Sequence, residues 1–98
     1  MKTTRQILHE VNDKIGDIRL SVMQEIERLL PVERVHTFNP DTSGLCINVE
    51  EDSTRLQVIS MDRNEVTLED DSTMDLGDIG TDDLLTILDT LDNELNPE

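Results

Sequence analysis

The apolar residues of this chain change period along its length, and that change limits the fold more than any single motif. From the N-terminus, Leu8, Val11, Ile15, Ile18, Val22, Ile26 and Leu29 recur every three or four residues, with Ile7, Met23 and Leu30 alongside. At about 100° per residue they fall on one face of a helix. Thr3 followed by Gln6 reads as a capping box opening that helix, and Pro31 closes it. The spacing predicts a helix over 4–30, about 40 Å long. Gly16 lies within it, at a cost of about 1 kcal/mol relative to alanine.

Beyond Pro31 the period shortens to two. Leu45, Ile47 and Val49 alternate with Cys46, Asn48 and Glu50, the pattern of a half-buried strand. An antiparallel sheet is expected over 34–69. Val35–Phe38 forms its first strand, and the turn-rich segment Asn39-Pro-Asp-Thr-Ser-Gly44 closes a hairpin that sets Phe38 opposite Leu45. A turn at Asp52-Ser53 pairs Val49 with Leu56 and Ile47 with Val58. At the next connection a two-residue Arg63-Asn64 turn pairs Met61 with Val66 but turns Val66 away from Val58. A three-residue loop with Asn64 left-handed pairs Val58 with Leu68 and keeps one core face, and is therefore expected.

Residues 70–80 read as an acidic connector with a short extended piece near Met74–Leu76. Thr81 then caps a helix over 81–96, with Asp82 and Asp83 at the positive end of its dipole and Leu84, Leu88, Leu91 and Leu95 as its stripe. The fold class is α+β in the order α-β-β-β-β-α. A long N-terminal helix and a shorter C-terminal one pack on one face of an antiparallel meander. At 98 residues, 1–98 form one small acidic domain.

Charge is divided as sharply as hydrophobic period. Residues 1–34 hold six basic and six acidic groups, while 35–98 hold 17 acids against Arg55 and Arg63 and supply the whole net charge of −15. Such a surface is repelled by phosphate and by anionic lipid, so direct binding to nucleic acid or membrane is not expected. No apolar run approaches the ~18 residues that span a bilayer, and the N-terminus carries no signal-peptide core. Cys46 is the single cysteine, which fits a reducing compartment, and a cytoplasmic location is expected.

Groups suited to chemistry are few. Cys46 and His36 fall on adjacent strands, yet the expected hairpin sets Thr37 opposite Cys46 and turns His36 to the other side, so no nucleophile–base pair and no enzyme activity are expected. Asn39, Asp41, Ser43, Gly44 and Glu50 match alternate positions of a calcium-binding loop, but Pro40 and the flanking strands do not suit a helix–loop–helix site. The same residues read more simply as a polar hairpin loop. No cofactor is implied.

What remains is the acidic surface and the long helix. A domain of this length is about 30–35 Å across, so a 40 Å helix overhangs it. The overhang leaves Leu8, Val11, Ile15 and, from the far flank, Leu20 to a second copy in a homodimer. Asp70, Asp71, Asp75, Asp78, Asp82, Asp83, Asp89 and Asp92 form an acidic face suited to a basic protein partner. The size, acidity and layout resemble the short accessory proteins of bacterial phages and mobile elements, a likeness of general character that implies a non-enzymatic protein–protein interaction module. A sharper version is a DNA mimic that occupies a nucleic-acid-binding protein or nuclease. A calcium-binding protein using residues 39–50 is a further alternative.

Overall fold

A computed structural model of the chain describes residues 2–16, 18–39, 41, 44–49 and 54–95. It begins with the expected capping box: Gln6 N–H donates to Thr3 Oγ1 at 3.1 Å, and Thr3 N–H to Gln6 Oε1 at 2.9 Å. The continuous helix expected over 4–30 does not form. Helix α1 (Thr4–Ile15) ends at Gly16, which takes the left-handed φ of 81° and donates its N–H to Asn12 O at 2.9 Å; α2 (Arg19–Leu29) follows. Glycine enters this conformation without the Cβ clash that other residues meet, so it terminates the helix here instead of weakening its middle. The break lets two short helices bury their stripes in one molecule. Leu8 from α1 and Ile18, Val22, Ile26 and Leu30 around α2 all enter the core. The largest dimension of the chain is 38 Å, and no 40 Å rod overhangs it.

The sheet is antiparallel, and its centre is the nine-residue strand β3 (Thr54–Asp62). Strands β1 (Val35–Thr37) and β2 (Cys46–Val49) both pair with β3, not with each other. Phe38 N–H donates to Ile59 O at 2.9 Å, while Leu45 O accepts from Val58 N–H at 2.8 Å. The expected Phe38–Leu45 hairpin is therefore replaced by one interrupted edge, which pairs with β3 up to Phe38 and again from Leu45. Turn chemistry does not determine the direction of the strands it joins. The β2–β3 register is Ile47↔Leu56 and Val49↔Thr54, two residues from the expected one. An even slip leaves every side chain on its face.

Strand β4 (Glu65–Leu68) lies on the other side of β3: Gln57 O accepts from Glu69 N–H, whereas the next N–H, of Val58, points to Leu45. The β3–β4 connection combines features of both readings. Its turn is the two-residue Arg63-Asn64, with Met61↔Val66 and Asp62↔Glu65, and a bulge at Ile59 then restores Val58↔Leu68. The extra residue returns Val58 to the core face without the left-handed Asn64 that a three-residue loop requires. The positive φ of a non-glycine residue, 68°, falls at Asp71 instead.

The segment read as a connector is largely ordered structure. Strand β5 (Thr73–Asp75) pairs with β4, and a 3-10 turn at Leu76–Asp78 leads to α3 (Thr81–Leu95). Leu84 N–H donates to Gly80 O, so Thr81 stands inside the helix and does not cap it. Helix α3 packs mainly on α2 and adds Leu84, Leu85, Ile87, Leu88 and Leu91 to the core in which Ile47, Val58, Met61, Val66 and Leu68 of the sheet are fully buried. The molecule is a mixed α+β fold of two layers, with one sheet face covered by helices. Phe38, the only aromatic of the Phe, Tyr and Trp type, is buried edge-on to His36. Among the described residues no polar or charged side chain belongs to the core, and no helix is long and apolar enough to cross a membrane.

Candidate functional site

The described cations mostly hold the helical layer together. Arg5 on α1 reaches across to α3, where Nη1 lies 2.9 Å from Asp92 Oδ2 and 3.2 Å from Asn93 Oδ1, and Nε 3.5 Å from Asp89. His9 Nε2 meets the same Asp89 at 2.9 Å. Lys2 pairs with Glu10 and Arg28 with Glu25, each lowering or raising its partner's ionisation in the expected sense: the hydrogen bond from Lys2 holds the Glu10 carboxyl below its ordinary range, and the Glu25 hydrogen bond raises Arg28. Arg19 donates to Gly77 O. Asp89 and Asp92, expected on an outward acidic face, are therefore tied to α1, because α3 packs against α1 and not against solvent on that side.

The sheet is different. Cross-strand register places Val35, Asp62, Glu65 and Asp75 directly opposite one another in one row over β1, β3, β4 and β5. The neighbouring row is Thr37, Ser60, Thr67 and Thr73. Both rows lie on the face away from the helices, since their residues alternate with Met61, Val66 and Met74 of the core side. Opposed residues on one sheet face stand about 4.5–5.5 Å apart at Cβ, and like charges so placed repel. Asp62 and Glu65 were not among the expected docking residues. Their alignment follows from the Arg63-Asn64 turn register, in place of the expected three-residue loop.

At the far end of β4 the acids continue into the turn. Asp70 Oδ1 accepts from Ser72 Oγ and, at 2.9 Å, from Ser72 N–H; these bonds hold its carboxyl below the ordinary aspartate range. Asp71 adopts its left-handed conformation there, with its N–H on Leu68 O. Glu69, Asp70 and Asp71 are all exposed. Among the described residues no cation forms an ion pair with any carboxylate from Asp62 through Asp78. Arg63, the one base in that stretch, reaches Glu27 of α2 at 3.6 Å instead.

Two clefts adjoin these acids. One, of about 570 Å³, opens at the start of α3 and is lined by Asn12, Gly16, Asn48, Thr81, Asp82 and Asp83. Asp83 Oδ2 accepts there from Asn48 N–H at 3.4 Å. The other, of about 380 Å³, lies at the turn end of the sheet, between Val49, Leu56, Leu68 and Met74 below and Thr54, Asp70, Ser72 and Thr73 around it.

The remaining expected residues are dispersed by the fold. Leu8, 7% exposed, and Val11 pack into the molecule's own core, so the self-association stripe is not available as drawn; Ile15 and Leu20 are 71% and 68% exposed on either side of the helix break. In the proposed calcium loop Asn39 Oδ1 accepts from Asp41 N–H, while Ser43 and Glu50 lie outside the described residues. Among the described residues no three His, Cys, Asp or Glu side chains are grouped to hold a metal ion. His36 shares the core face with Met61 and meets Glu94 of α3, whereas Cys46, opposite Gln57, is on the open face.

No family model, curated protein or solved structure matches the chain.

Proposed function

We propose that the chain is a protein-interaction module that docks a basic partner on the acidic ribbon β3–β4–β5. The observation that carries this reading is the row Asp62–Glu65–Asp75, three like charges set directly opposite one another with no cation paired to them among the described residues. Such a row opposes folding by roughly 0.2–1 kcal/mol per pair. It is favourable only when a cation comes to lie across it. The face is open and carries a row of hydroxyls beside the acids, which suits a Lys- or Arg-bearing surface or extended segment. A strongly negative face also raises the rate at which a basic partner finds it.

The test is a titration of the 15N-labelled chain with a peptide of alternating Lys and Ser, at low and at physiological salt. Shifts are expected at Glu65, Thr67, Thr73 and Asp75, with affinity falling as salt rises. The combined substitutions Asp62→Asn, Glu65→Gln and Asp75→Asn remove three rim charges worth about 0.5 kcal/mol each and should weaken binding about tenfold. Unchanged affinity in that variant, or shifts confined to α1 and α2, overturns the proposal. A basic partner whose own docking site is a nucleic-acid cleft would make the chain a DNA mimic; a DNA duplex would then compete with it for that partner.

A further inference from the structure

We propose that the cleft at the turn end of the sheet is an anchor pocket for one aliphatic side chain of a basic partner segment. This rests on the docking reading above and adds a second contact to it, at the other end of β4 from the Asp62–Glu65–Asp75 row and on the helix side of the sheet. Along most of the sheet the helix-side face is sealed: Ile47, Val58, Met61, Val66 and Leu68 have no exposure. At the turn end the seal is incomplete. Val49, Leu56 and Met74 pack on the core yet stay half-exposed, and together with Leu68 they line the cleft of about 380 Å³.

That volume is near the lower limit of ligand sites, enough for a side chain and its flanks. The lining fits an aliphatic group. Leu68 belongs wholly to the core, so the base is rigid, while Met74 is unbranched and adapts to the shape of what enters. The rim is polar, with Thr54, Ser72 and Thr73 supplying hydroxyls and Asp70 a carboxylate held in place by Ser72. Glu69 and Asp71 flank Asp70 in the same turn, and none of the three has an ion-pair partner among the described residues. An apolar base within a rim of negative charge is complementary to Leu, Ile or Met flanked by Lys or Arg. Interfaces draw most of their affinity from such anchors, seated in a pocket and ringed by polar contacts. A second copy of this chain is a poor occupant, since its net charge of −15 would face the same acids.

The experiment compares two fluorescent pentapeptides, Lys-Arg-Leu-Arg-Lys and Lys-Arg-Ser-Arg-Lys, against the intact chain carrying 13C-methyl methionine. Met74 lines the cleft, whereas Met61 is buried in the core and Met23 sits in the helical layer, so the label reports its own controls. The leucine peptide is expected to bind about tenfold more tightly than the serine peptide, the discrimination typical of an apolar pocket. Its binding should move the Met74 methyl signal and leave Met23 unmoved. A Met74→Lys variant, placing a cation in the cleft, should lose that preference while still binding both peptides. Equal affinity of the two peptides, or a response at Met23 in place of Met74, overturns the anchor pocket and leaves acidic docking standing. Binding of neither peptide at low salt overturns the docking reading itself.

Discussion

Substituting Gly16 by alanine separates two architectures by the sign of its effect. If residues 4–30 formed one helix, Gly16 would occupy a helical interior, where replacement by alanine stabilises by about 1 kcal/mol. In the structure Gly16 has φ of 81°, and a Cβ built there meets nothing within 4 Å, so crowding from neighbours is not the issue. The cost is internal to the residue: an L side chain in the left-handed region loses about 1–2 kcal/mol against glycine. Gly16→Ala is therefore expected to destabilise by about 1 kcal/mol or slightly more, and Gly16→Asn by less, because asparagine tolerates this conformation. The left-handed cap orders stability as Gly, Asn, Ala, while a continuous helix reverses that order. Urea unfolding followed by far-ultraviolet circular dichroism reads the difference. With a slope near 1 kcal/mol per molar for a chain of this size, the midpoint should fall by about 1 M. A midpoint that rises for Gly16→Ala refutes the break, and with it the account of how Leu8 and Val22 reach the same core.

Two further outcomes follow from the ion pairs and the β4–β5 turn. Arg5→Ala should destabilise by about 1 kcal/mol, since it strips Asp89 and Asp92 of a partner shared at one-third exposure, while Lys2→Ala on the exposed Glu10 pair should change little; equal effects in urea unfolding would count against the α1–α3 clasp. The Asp70 carboxyl is lowered in the folded chain by its Ser72 hydrogen bonds, so its contribution is fully present above its unfolded value of about 3.9 and is lost as pH falls through the folded value. Asp70→Asn should remove that increment of acid sensitivity, as the difference between the two pH–stability curves, and an NMR titration in which Asp70 behaves as an ordinary aspartate would refute the turn's geometry.

Most elements of the fold were legible in the sequence because they rest on local chemistry. The Thr3–Gln6 capping box, the Ile47–Val49 alternation and the leucine stripe of α3 each follow from spacing that needs no partner. What was misread depends on choices among near-equal local energies. A glycine costs a long helix only about 1 kcal/mol, so periodicity alone favours continuity; the decision to break comes from burying Leu8 and Ile26 in one core. The segment 39–44 carries turn residues whichever way its flanks pair. Its flanks pair with β3 and not with each other because β3 is long enough, at nine residues, to serve both along one edge.

The arrangement of the acids was harder to read for a related reason. Choosing acids by abundance selected Asp89 and Asp92, which the helical layer neutralises through Arg5, and omitted Asp62 and Glu65. Those two become neighbours only in the Arg63-Asn64 register, which had looked wrong because it sends Val66 to the face opposite Val58. A single extra residue at Ile59 removes that objection: Val66 and Val58 share the core after all, and Asp62 and Glu65, which flank the β3–β4 turn, are left facing solvent. The bulge thus reconciles two registers. It lets the hydrophobic face close while the Arg63-Asn64 turn and the β4–β5 pairing keep Asp62, Glu65 and Asp75 in one line on the open face. A regular ladder over the same residues, with Ile59 paired in turn, would have to give up one or the other, either the burial of Val58 or the alignment of the acids.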